Sequence, residues 1–367
     1  MNALQRLHAE QDQSPWIDFI DRKLISSGTL AEQVSMGIRG LTSNPTIFAK
    51  AISTGQYDDL IRRAIARGHT DSEIFETIAT ADVGDAADIL RGVYDGADGA
   101  DGFASIEVEP NLADDTPQTI ERARYLWSKL NRPNVFVKIP ATPEGVPAVE
   151  AAIAEGINVN VTLMFSVDVY RDVARAYLAG LRRRVERGED ISRVASVASF
   201  FVSRVDTKVD KALEAIGTPE ALAARGKAAV ANAKMAYAAY REIFHGPEFA
   251  DLRAAGARVQ RCLWASTSTK NPSYRDVLYV EELIGPETVN TLPTDTINAF
   301  LDHGVVARTL DSGLDQARAA LAAVEAQGIS MTTVTAELIR EGVASFGASF
   351  DDLMATIKAQ RQALAPA

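Results

Sequence analysis

Eight short β-rich runs recur along the chain, and alanine-rich stretches of helical periodicity separate them. This alternation is typical of a parallel sheet covered by helices, and eight such units favour a closed (β/α)₈ barrel over an open doubly wound sheet. We predict the strands at 16–19, 37–41, 103–109, 134–139, 157–164, 194–202, 259–265 and 288–292.

Two helical stretches exceed what a barrel of this kind needs. Residues 206–258, between the sixth and seventh strands, are dominated by Ala, Lys, Glu and Arg, which predicts one or two added helices. Residues 310–367 have the pattern of two or three further helices, broken near Gly328 and Gly347, that pack on the outside. Since no linker, repeat or low-complexity tract interrupts the sequence, we predict one barrel domain over residues 1–367.

The charge of the chain limits its partners. Acidic residues outnumber basic ones by 49 to 38, which gives a formal net charge of −11. The resulting field repels nucleic acid and anionic lipid, so an anionic substrate must be held by local cations. No apolar run approaches the roughly 18 residues of a membrane span, and residues 1–16 lack the apolar core of a signal peptide. We therefore expect a cytoplasmic protein without a nucleic-acid or membrane partner.

Metal and cofactor motifs are missing from the sequence. The single cysteine, Cys262, excludes an internal disulfide and lies in an apolar run that is typical of a core. The four histidines, His8, His69, His245 and His303, are scattered without ligand spacing. No glycine-rich phosphate loop is present either. We expect an enzyme without metal or cofactor.

Polar and apolar side chains alternate along the fifth predicted strand. Asn158, Asn160 and Thr162 share one face, and the valines between them share the other. A hydrogen-bonded polar layer inside the barrel would explain this pattern. We favour a functional site, because buried amides without partners cost free energy and are tolerated mainly where function needs them.

Lys138 interrupts an otherwise apolar strand. The flanking Val137 and Ile139 would face the helices, so Lys138 points inward just before the strand ends, where this fold carries its catalytic residues. Burying an ammonium group is costly unless it is neutralised or paired. The residues alone leave two roles open for Lys138, which are one half of a buried ion pair and a desolvated nucleophilic amine.

Carboxylates are predicted in the same cavity. Glu107 lies on the inward face of the third strand, and Asp18 lies between two apolar residues of the first. A Schiff-base lysine must attack as a neutral amine and needs groups that protonate and deprotonate hydroxyls. Because a carboxylate touching Lys138 would stabilise the ammonium, we expect Glu107 to act through a water held by Thr162, without direct contact.

Four segments of the chain resemble the transaldolase family. The string GLTSNPTIF at 40–48 is similar to the first transaldolase signature, and VKIPATPEG at 137–145 is similar to the second, which surrounds the Schiff-base lysine. Residues 156–166 and 199–206 resemble strands five and six of the family in order and spacing. The resemblance spans roughly residues 14–305.

The resemblance implies a cofactor-free step of the pentose phosphate pathway on sugar-phosphate substrates. A dihydroxyacetone unit would pass from sedoheptulose 7-phosphate to glyceraldehyde 3-phosphate, giving erythrose 4-phosphate and fructose 6-phosphate. Lys138 would be the Schiff-base nucleophile and Asp18 the acid and base of bond cleavage and formation. Glu107 and Thr162 would orient the catalytic water.

The resemblance also implies the residues that bind substrate. Two amides would hold the triose hydroxyls, and a cationic group with a nearby serine would hold the acceptor phosphate. These residues are Asn44 and Asn160 for the triose, and Arg204, Ser268 and Lys270 with Ser199 close by for the phosphate. The family often has arginine at the position of Lys270, and lysine cannot form the bidentate hydrogen bonds that arginine makes to a phosphate. An ordinary solvated lysine is therefore the alternative for Lys270.

Two other activities are alternatives. Fructose 6-phosphate aldolases of the same family use the same lysine but release free dihydroxyacetone, and they carry tyrosine where this chain has Phe201, so Phe201 favours transfer. A non-catalytic phosphosugar-binding protein would be expected to lack Lys138, Glu107 or Asp18, and this chain keeps all three. Family members are often dimers, so a homodimer through the helical tail is also implied.

Overall fold

Seven strands form the centre of the molecule in the computed structural model, which describes residues 1–365. They are β1 Gln13–Ile17, β2 Ala104–Glu107, β3 Val135–Pro140, β4 Val159–Met164, β5 Ser196–Phe201, β6 Arg261–Ala265 and β7 Thr288–Leu292. The order in the sheet is β1-β7-β6-β5-β4-β3-β2, and all neighbouring pairs are parallel.

Two isolated bridges close this sheet into a barrel. Leu41 pairs in parallel with Ile17 of β1 on one side and with Ala104 of β2 on the other. The backbone bonds run from Ile17 N to Gly40 O (3.0 Å) and from Leu41 N to Phe103 O (2.9 Å). Leu41 thus fills the eighth position between β1 and β2, and the fold is the predicted (β/α)₈ barrel.

The predicted strand at 37–41 is wrong as a full strand, since only its last residue joins the barrel. Gly37 has a φ of +116°, which an extended strand does not allow. A Cβ atom at Gly40 would lie 2.4 Å from the ring of Trp16. The indole packs so closely on this backbone that the alternating side chains of a regular strand would not fit.

Seventeen α-helices surround the barrel within the described range. They are α1 Ala3–Gln11, α2 Arg22–Ser26, α3 Thr29–Ser35, α4 Pro45–Ser53, α5 Asp58–Ala66, α6 Asp71–Gly96, α7 Thr116–Leu130, α8 Gly145–Ala154, α9 Val167–Glu186, α10 Ser203–Ile216, α11 Pro219–Ala223, α12 Ala228–Phe244, α13 Ala250–Ala254, α14 Leu278–Glu281, α15 Thr294–His303, α16 Leu314–Ala326 and α17 Met331–Leu364. Short 3₁₀ helices span Pro110–Leu112 and Pro247–Phe249. Among the described residues, no helix has the length and apolar character needed to cross a membrane.

Local sequence signals explain several helix ends. Thr70 and Glu73 form a reciprocal capping box at the start of α6. The side chain of Asn44 accepts a hydrogen bond from Ile47 N and so caps α4. Gly156, with a φ of +82°, follows the end of α8, where glycine is favoured because it adopts this conformation without strain.

The stretch 206–258 contains most of α10 and all of α11, α12 and α13. The start of α12 packs beside α10, and the end of α12 contacts the Pro247–Phe249 turn. That this stretch is an insertion within one domain covering residues 1–367 stays a prediction.

The C-terminal helix α17 departs from the prediction in two ways. The chain breaks near Gly328 as predicted, but α17 runs unbroken through Gly347 for 34 residues. A glycine costs a helix only about 1 kcal/mol relative to alanine, which packing along α17 offsets. Nor does α17 lie only on the outside, because Phe346 reaches the mouth of the barrel. Residues 366 and 367 of the predicted tail lie outside the described residues.

A buried ionic cluster fills the amino end of the barrel. Asp101 is 2% exposed and accepts hydrogen bonds from Trp16 Nε1 (3.0 Å) and Arg39 Nε (2.7 Å). Arg261 Nη2 lies 3.4 Å from the same carboxylate. The carboxyl ends of the strands are therefore the side that is open to a ligand.

Candidate active site

A cavity of about 150 Å³ opens at the carboxyl ends of the strands. Nine of the eleven residues predicted from the sequence line it, namely Asp18, Asn44, Lys138, Thr162, Ser199, Phe201, Arg204, Ser268 and Lys270. The other two, Glu107 and Asn160, each contact a lining residue directly. This cavity is the candidate active site.

A larger groove, of about 750 Å³, runs between α8, α9 and α17 outside the barrel. Its wall is largely apolar, and none of the predicted site residues belongs to it. The lysine, the carboxylates and the cations that the chemistry requires meet in the smaller cavity, so we place the site there and not in the larger space.

Lys138 lies at the centre of the site. Lys138 on β3 is in register with Glu107 on β2 and Asn160 on β4, so all three side chains point into the barrel, as the alternation predicts. Lys138 is 6% exposed, and its Nζ donates to Ser43 O at 3.1 Å. The ring of Phe346 has its centroid 5.9 Å from Nζ. The nitrogen is nearly sealed from bulk water.

Glu107 contacts Lys138 directly. Glu107 Oε2 lies 3.3 Å from Lys138 Nζ, so the expectation that a water separates them is wrong. The reason is that the two residues are neighbours on adjacent strands, and a buried ammonium recovers part of its desolvation cost from a nearby anion. Burial raises the pKa of Glu107, the charge of Lys138 lowers it, and Asp18 raises it further, with a net shift upward. Glu107 therefore holds a proton more readily than an ordinary glutamate does.

Asp18 enters the cavity just beyond the end of β1. Its backbone N donates to Leu292 O at 2.9 Å, which fixes the residue to the neighbouring strand. Thr42 Oγ1 donates to Asp18 Oδ1 at 2.7 Å and lies 2.9 Å from Thr291 Oγ1. Since a hydroxyl has one proton to give, Thr42 accepts from Thr291 and the three groups form an oriented chain. The Asp18 carboxylate is thereby held facing the cavity.

The three polar residues at and just before β4 differ in their hydrogen bonds. Asn158, directly before β4, donates to Pro133 O and accepts from Ala195 N at 2.9 Å, so it has the hydrogen-bonded structural role that was the alternative to a functional one. Asn160 Oδ1 accepts from Ser199 Oγ at 2.7 Å, and its Nδ2 donates to Ser105 Oγ at 3.2 Å. Thr162 Oγ1 is buried at the cavity wall and has no hydrogen-bond partner within residues 1–365. A buried hydroxyl of this kind is suited to hold a water or a substrate group.

Two cations line the other side of the cavity. The Arg204 guanidinium, in the first turn of α10, lies 5.3 Å from the centroid of the Phe201 ring. Lys270 Nζ donates to Ser268 Oγ at 2.7 Å. Within the described part of the chain, neither Arg204 nor Lys270 has a carboxylate within 4 Å, whereas most other arginines do. Burial lowers the pKa of Arg204, and cations without counter-ions at a cavity are suited to bind a phosphate.

Several lining residues were not predicted. They are Thr42, Ala265, Ser266, Thr291, Pro293 and Phe346. Thr42 lies inside the first signature string, so its position was available in the sequence. Phe346 comes from α17, far along the chain, and no motif marks it. Asn44 lines the cavity as predicted, but its Oδ1 is occupied by capping α4, which leaves its amide NH₂ group to meet a ligand.

Metal ligands do not gather in the described residues. In residues 1–365 no group of three or more His, Cys, Asp or Glu side chains is arranged to hold a metal ion. Cys262 is buried with a free thiol, and burial raises its pKa to about 12.

Comparison with known proteins gives a consistent picture. The family model of transaldolase/fructose-6-phosphate aldolase matches residues 15–357. Transaldolase 2 of Streptomyces avermitilis is 50% identical over 368 aligned residues, covering 100% of this chain and 99% of the relative. The transaldolase of Thermobifida fusca is 51% identical over 348 residues, covering 94% of this chain and 95% of the relative.

A third relative agrees with these. The transaldolase of Mycobacterium bovis is 48% identical over 350 residues, covering 94% of both chains. Because the agreement runs along the full length of the relatives, transaldolase function extends to this protein. The chain belongs to the transaldolase/fructose-6-phosphate aldolase family.

Proposed function

We propose that this enzyme transfers a dihydroxyacetone unit from sedoheptulose 7-phosphate to glyceraldehyde 3-phosphate through a Schiff base on Lys138. The observation that carries the proposal is the meeting of three groups in one cavity. Lys138 is buried in contact with Glu107, the Asp18 carboxylate faces the same space, and cations without counter-ions line the far wall.

The first step needs a neutral amine. The contact of 3.3 Å lets a proton pass from the Lys138 ammonium to Glu107, whose raised pKa favours its protonated form. The free amine attacks the C2 carbonyl of the ketose, and a proton moves from the nitrogen to the former carbonyl oxygen to give a carbinolamine. Glu107 then gives a proton, through a water held at Thr162, to the hydroxyl that leaves C2 as water, and an iminium forms.

The second step breaks the bond between C3 and C4. Asp18 takes the proton of the C4 hydroxyl, the C3–C4 electron pair moves into the iminium, and erythrose 4-phosphate departs. The enamine left on Lys138 attacks the aldehyde carbon of glyceraldehyde 3-phosphate. Asp18 returns its proton to the oxygen of that aldehyde, which becomes a hydroxyl, and water hydrolyses the Schiff base to release fructose 6-phosphate.

Binding groups surround this chemistry. Asn44 and Asn160 are suited to hold the triose hydroxyls, because Asn44 lines the cavity and Asn160 contacts the lining residue Ser199. Arg204 and Lys270, with Ser268, are suited to hold the phosphate of the acceptor. The overall charge of −11 makes such local cations necessary for an anionic substrate.

Borohydride trapping tests the proposal. The protein is reduced in the presence of fructose 6-phosphate and then mapped by peptide mass. A triose adduct is expected on Lys138. Lys234 is a matched internal control, because it is 7% exposed and lies 3.3 Å from Glu282, yet it is outside the cavity. An adduct on Lys234 in place of Lys138, or no adduct at all, would contradict the mechanism.

The alternative activity is that of a fructose 6-phosphate aldolase, which releases free dihydroxyacetone. Phe201 lines the cavity without a hydroxyl that could help water reach the intermediate, which supports transfer. An assay of fructose 6-phosphate cleavage without an acceptor aldehyde decides between the two. Rapid cleavage under that condition would favour the aldolase.

The setting of the enzyme is part of the proposal. A cytoplasmic location agrees with the single buried cysteine, Cys262, which is free. A homodimer stays a prediction, and analytical ultracentrifugation of the full chain tests it. The helical tail is a weaker candidate for the interface than the sequence indicates, because α17 packs on α4, α5 and α6 of its own chain.

A further inference from the structure

Two aspartates on α10 bind two tyrosines beside the cationic wall of the cavity. Tyr279 donates its hydroxyl to Asp206 Oδ2 at 2.9 Å, and Tyr274 donates to Asp210 Oδ2 at 2.6 Å. The aspartates are one helical turn apart and are 1% and 7% exposed. Arg204 lies at the start of the same helix. We call these four residues, Asp206, Asp210, Tyr274 and Tyr279, the acid–tyrosine clamp.

Backbone N–H groups at and just before the start of α12 bind the second oxygen of each carboxylate. Ala229 N donates to Asp206 Oδ1 at 2.7 Å, and Gly226 N donates to Asp210 Oδ1 at 2.9 Å. Gly226 has a φ of +69°, and a Cβ atom there would lie 2.7 Å from Cζ of Tyr274. Residues 226–229 are therefore fitted closely around the clamp. Through these contacts, the part of the stretch 206–258 that begins α12 supports the clamp beside the cavity.

The two tyrosines hold the far end of the loop that carries Ser268 and Lys270. This β6–α14 loop, residues 266–277, leaves β6 at the cavity wall. Its turn closes through a bond from Tyr274 N to Asn271 O at 3.0 Å, directly after Lys270. Because the Tyr274 hydroxyl is bonded to α10, the turn cannot shift away from that helix without losing the bond to Asp210.

The near end of the same loop is also fastened to α10. Ser203 N donates to Ser266 O at 3.0 Å, and the two hydroxyls are 2.8 Å apart. Ser266 has a φ of +57°, a conformation that is uncommon for a residue other than glycine. Fastening at both ends fixes the loop between them, so Ser268 and Lys270 are held against the helix that presents Arg204.

Burying these carboxylates is costly, which argues that they are kept for a purpose other than stability. Burial raises the pKa of Asp206 to about 6, even though its hydrogen bonds lower it. Buried polar groups often specify one arrangement of a structure at some expense of stability. Here the buried aspartates fix the position of α10, which carries Arg204, relative to the β6–α14 loop, which carries Lys270.

We propose that the acid–tyrosine clamp positions Arg204 and Lys270 so that both reach the same phosphate of the substrate. The four clamp residues act through the cations and do not touch the substrate themselves. The inference rests on the proposed function, because it presumes that this wall of the cavity binds phosphate. It adds four residues that are expected to change the binding of the phosphate and not the reaction of the sugar.

Tyr274→Phe tests the inference, because it removes one hydroxyl and keeps the ring. The KM for glyceraldehyde 3-phosphate is expected to rise about tenfold, because the turn that carries Lys270 is then no longer held against the helix that presents Arg204. The kcat at saturation and the KM for unphosphorylated glyceraldehyde should stay within about twofold, because the reacting groups are untouched. Tyr125→Phe is the matched control, since Tyr125 also donates to a carboxylate, Glu76 at 2.7 Å, but on the outer surface.

A second variant tests Asp210, which accepts the hydrogen bond from Tyr274. Asp210→Asn should raise the same KM by a similar factor, and the double variant Asp210→Asn with Tyr274→Phe should add little, because both changes break one interaction. Equal effects on phosphorylated and unphosphorylated acceptors, or a lower melting temperature with no change in KM, would overturn the inference. Full additivity of the two changes would do the same.

Arg204→Met separates this inference from the proposed function. If wild-type enzyme shows no preference for the phosphorylated acceptor and Arg204→Met changes nothing, the phosphate site itself is misassigned. If Arg204→Met raises the KM for glyceraldehyde 3-phosphate and Tyr274→Phe does not, the phosphate site stands and the positioning role of the clamp is refuted.

Discussion

Lys138 Nζ and Glu107 Oε2 lie 3.3 Å apart because β2 and β3 place the two residues side by side in register. The contact is built into the sheet and does not depend on a mobile loop. Burial raises the pKa of Glu107 despite the nearby ammonium, so Glu107 accepts a proton more readily than an ordinary glutamate does. The contact that was expected to oppose attack by Lys138 thus supports the proposal that Glu107 takes the proton of the amine.

Glu107→Gln tests this route. In the wild type, activity should fall as the pH drops through the raised pKa of Glu107, because the protonated carboxyl no longer accepts the proton of Lys138. The acid limb of kcat/KM should therefore lie above the ordinary range of a glutamate and should vanish in Glu107→Gln. We expect kcat to fall about 100-fold, the lower end of what a general acid–base group contributes. An acid limb that is unchanged in the variant would contradict the assignment.

Thr162→Val separates activity from stability. Thr162 Oγ1 has no hydrogen-bond partner among residues 1–365, so replacing the hydroxyl by a methyl group breaks no bond. The free energy of unfolding should change by less than about 1 kcal/mol. If the hydroxyl holds the catalytic water, formation of the Schiff base in single turnovers should slow about tenfold or more. Thr162→Ser, which restores the hydroxyl, should recover most of the rate, and failure to do so would argue against a bound water.

Lys270→Met tests the proposed contact between Lys270 and the phosphate of the substrate. Lys270 bonds only Ser268 Oγ in the described structure and lines the cavity, so its charge is free to meet a phosphate. The KM for glyceraldehyde 3-phosphate should rise about tenfold, and that for unphosphorylated glyceraldehyde should hardly change. Lys211→Met is the control, because Lys211 is exposed on α10 and does not line the cavity. Equal changes with both acceptors would remove Lys270 from the site.

The inward positions of the site were predictable because strand alternation is a local property. Period-two patterning alone places Lys138, Glu107 and Asn160 inside the barrel, and their register in the sheet agrees. The direct contact between Lys138 and Glu107 was missed, because alternation gives the face of a strand but not its register against the next.

Other features depended on tertiary contacts. The strand expected at 37–41 shrinks to Leu41 because the Trp16 ring lies against Gly40, a contact between separate segments. The helix break expected at Gly347 does not form, since packing on both sides of that residue sustains α17. For the same reason no local signal marked Phe346 as a cavity residue.

Phe346→Ala tests whether α17 shields the covalent intermediate. The Phe346 ring lies 5.9 Å from Lys138 Nζ, and α17 is anchored close by through Phe350, which packs edge-to-face on Phe75 with centroids 5.6 Å apart. Removing the ring should admit water to the Schiff base, so that the enamine is protonated at carbon and the iminium is hydrolysed to free dihydroxyacetone.

The expected result is a rise of about tenfold in the release of dihydroxyacetone from fructose 6-phosphate without acceptor, equal to about 1.4 kcal/mol in the barrier. Transfer to an added acceptor should fall in parallel. Phe350→Ala is the matched control, because it loosens the same helix without opening the cavity wall. If Phe350→Ala raises release as much as Phe346→Ala does, mobility of α17 and not the Phe346 ring governs access of water. If neither variant raises release, water is excluded by other groups, and the lack of a hydroxyl at Phe201 becomes the main reason that the enzyme transfers its intermediate.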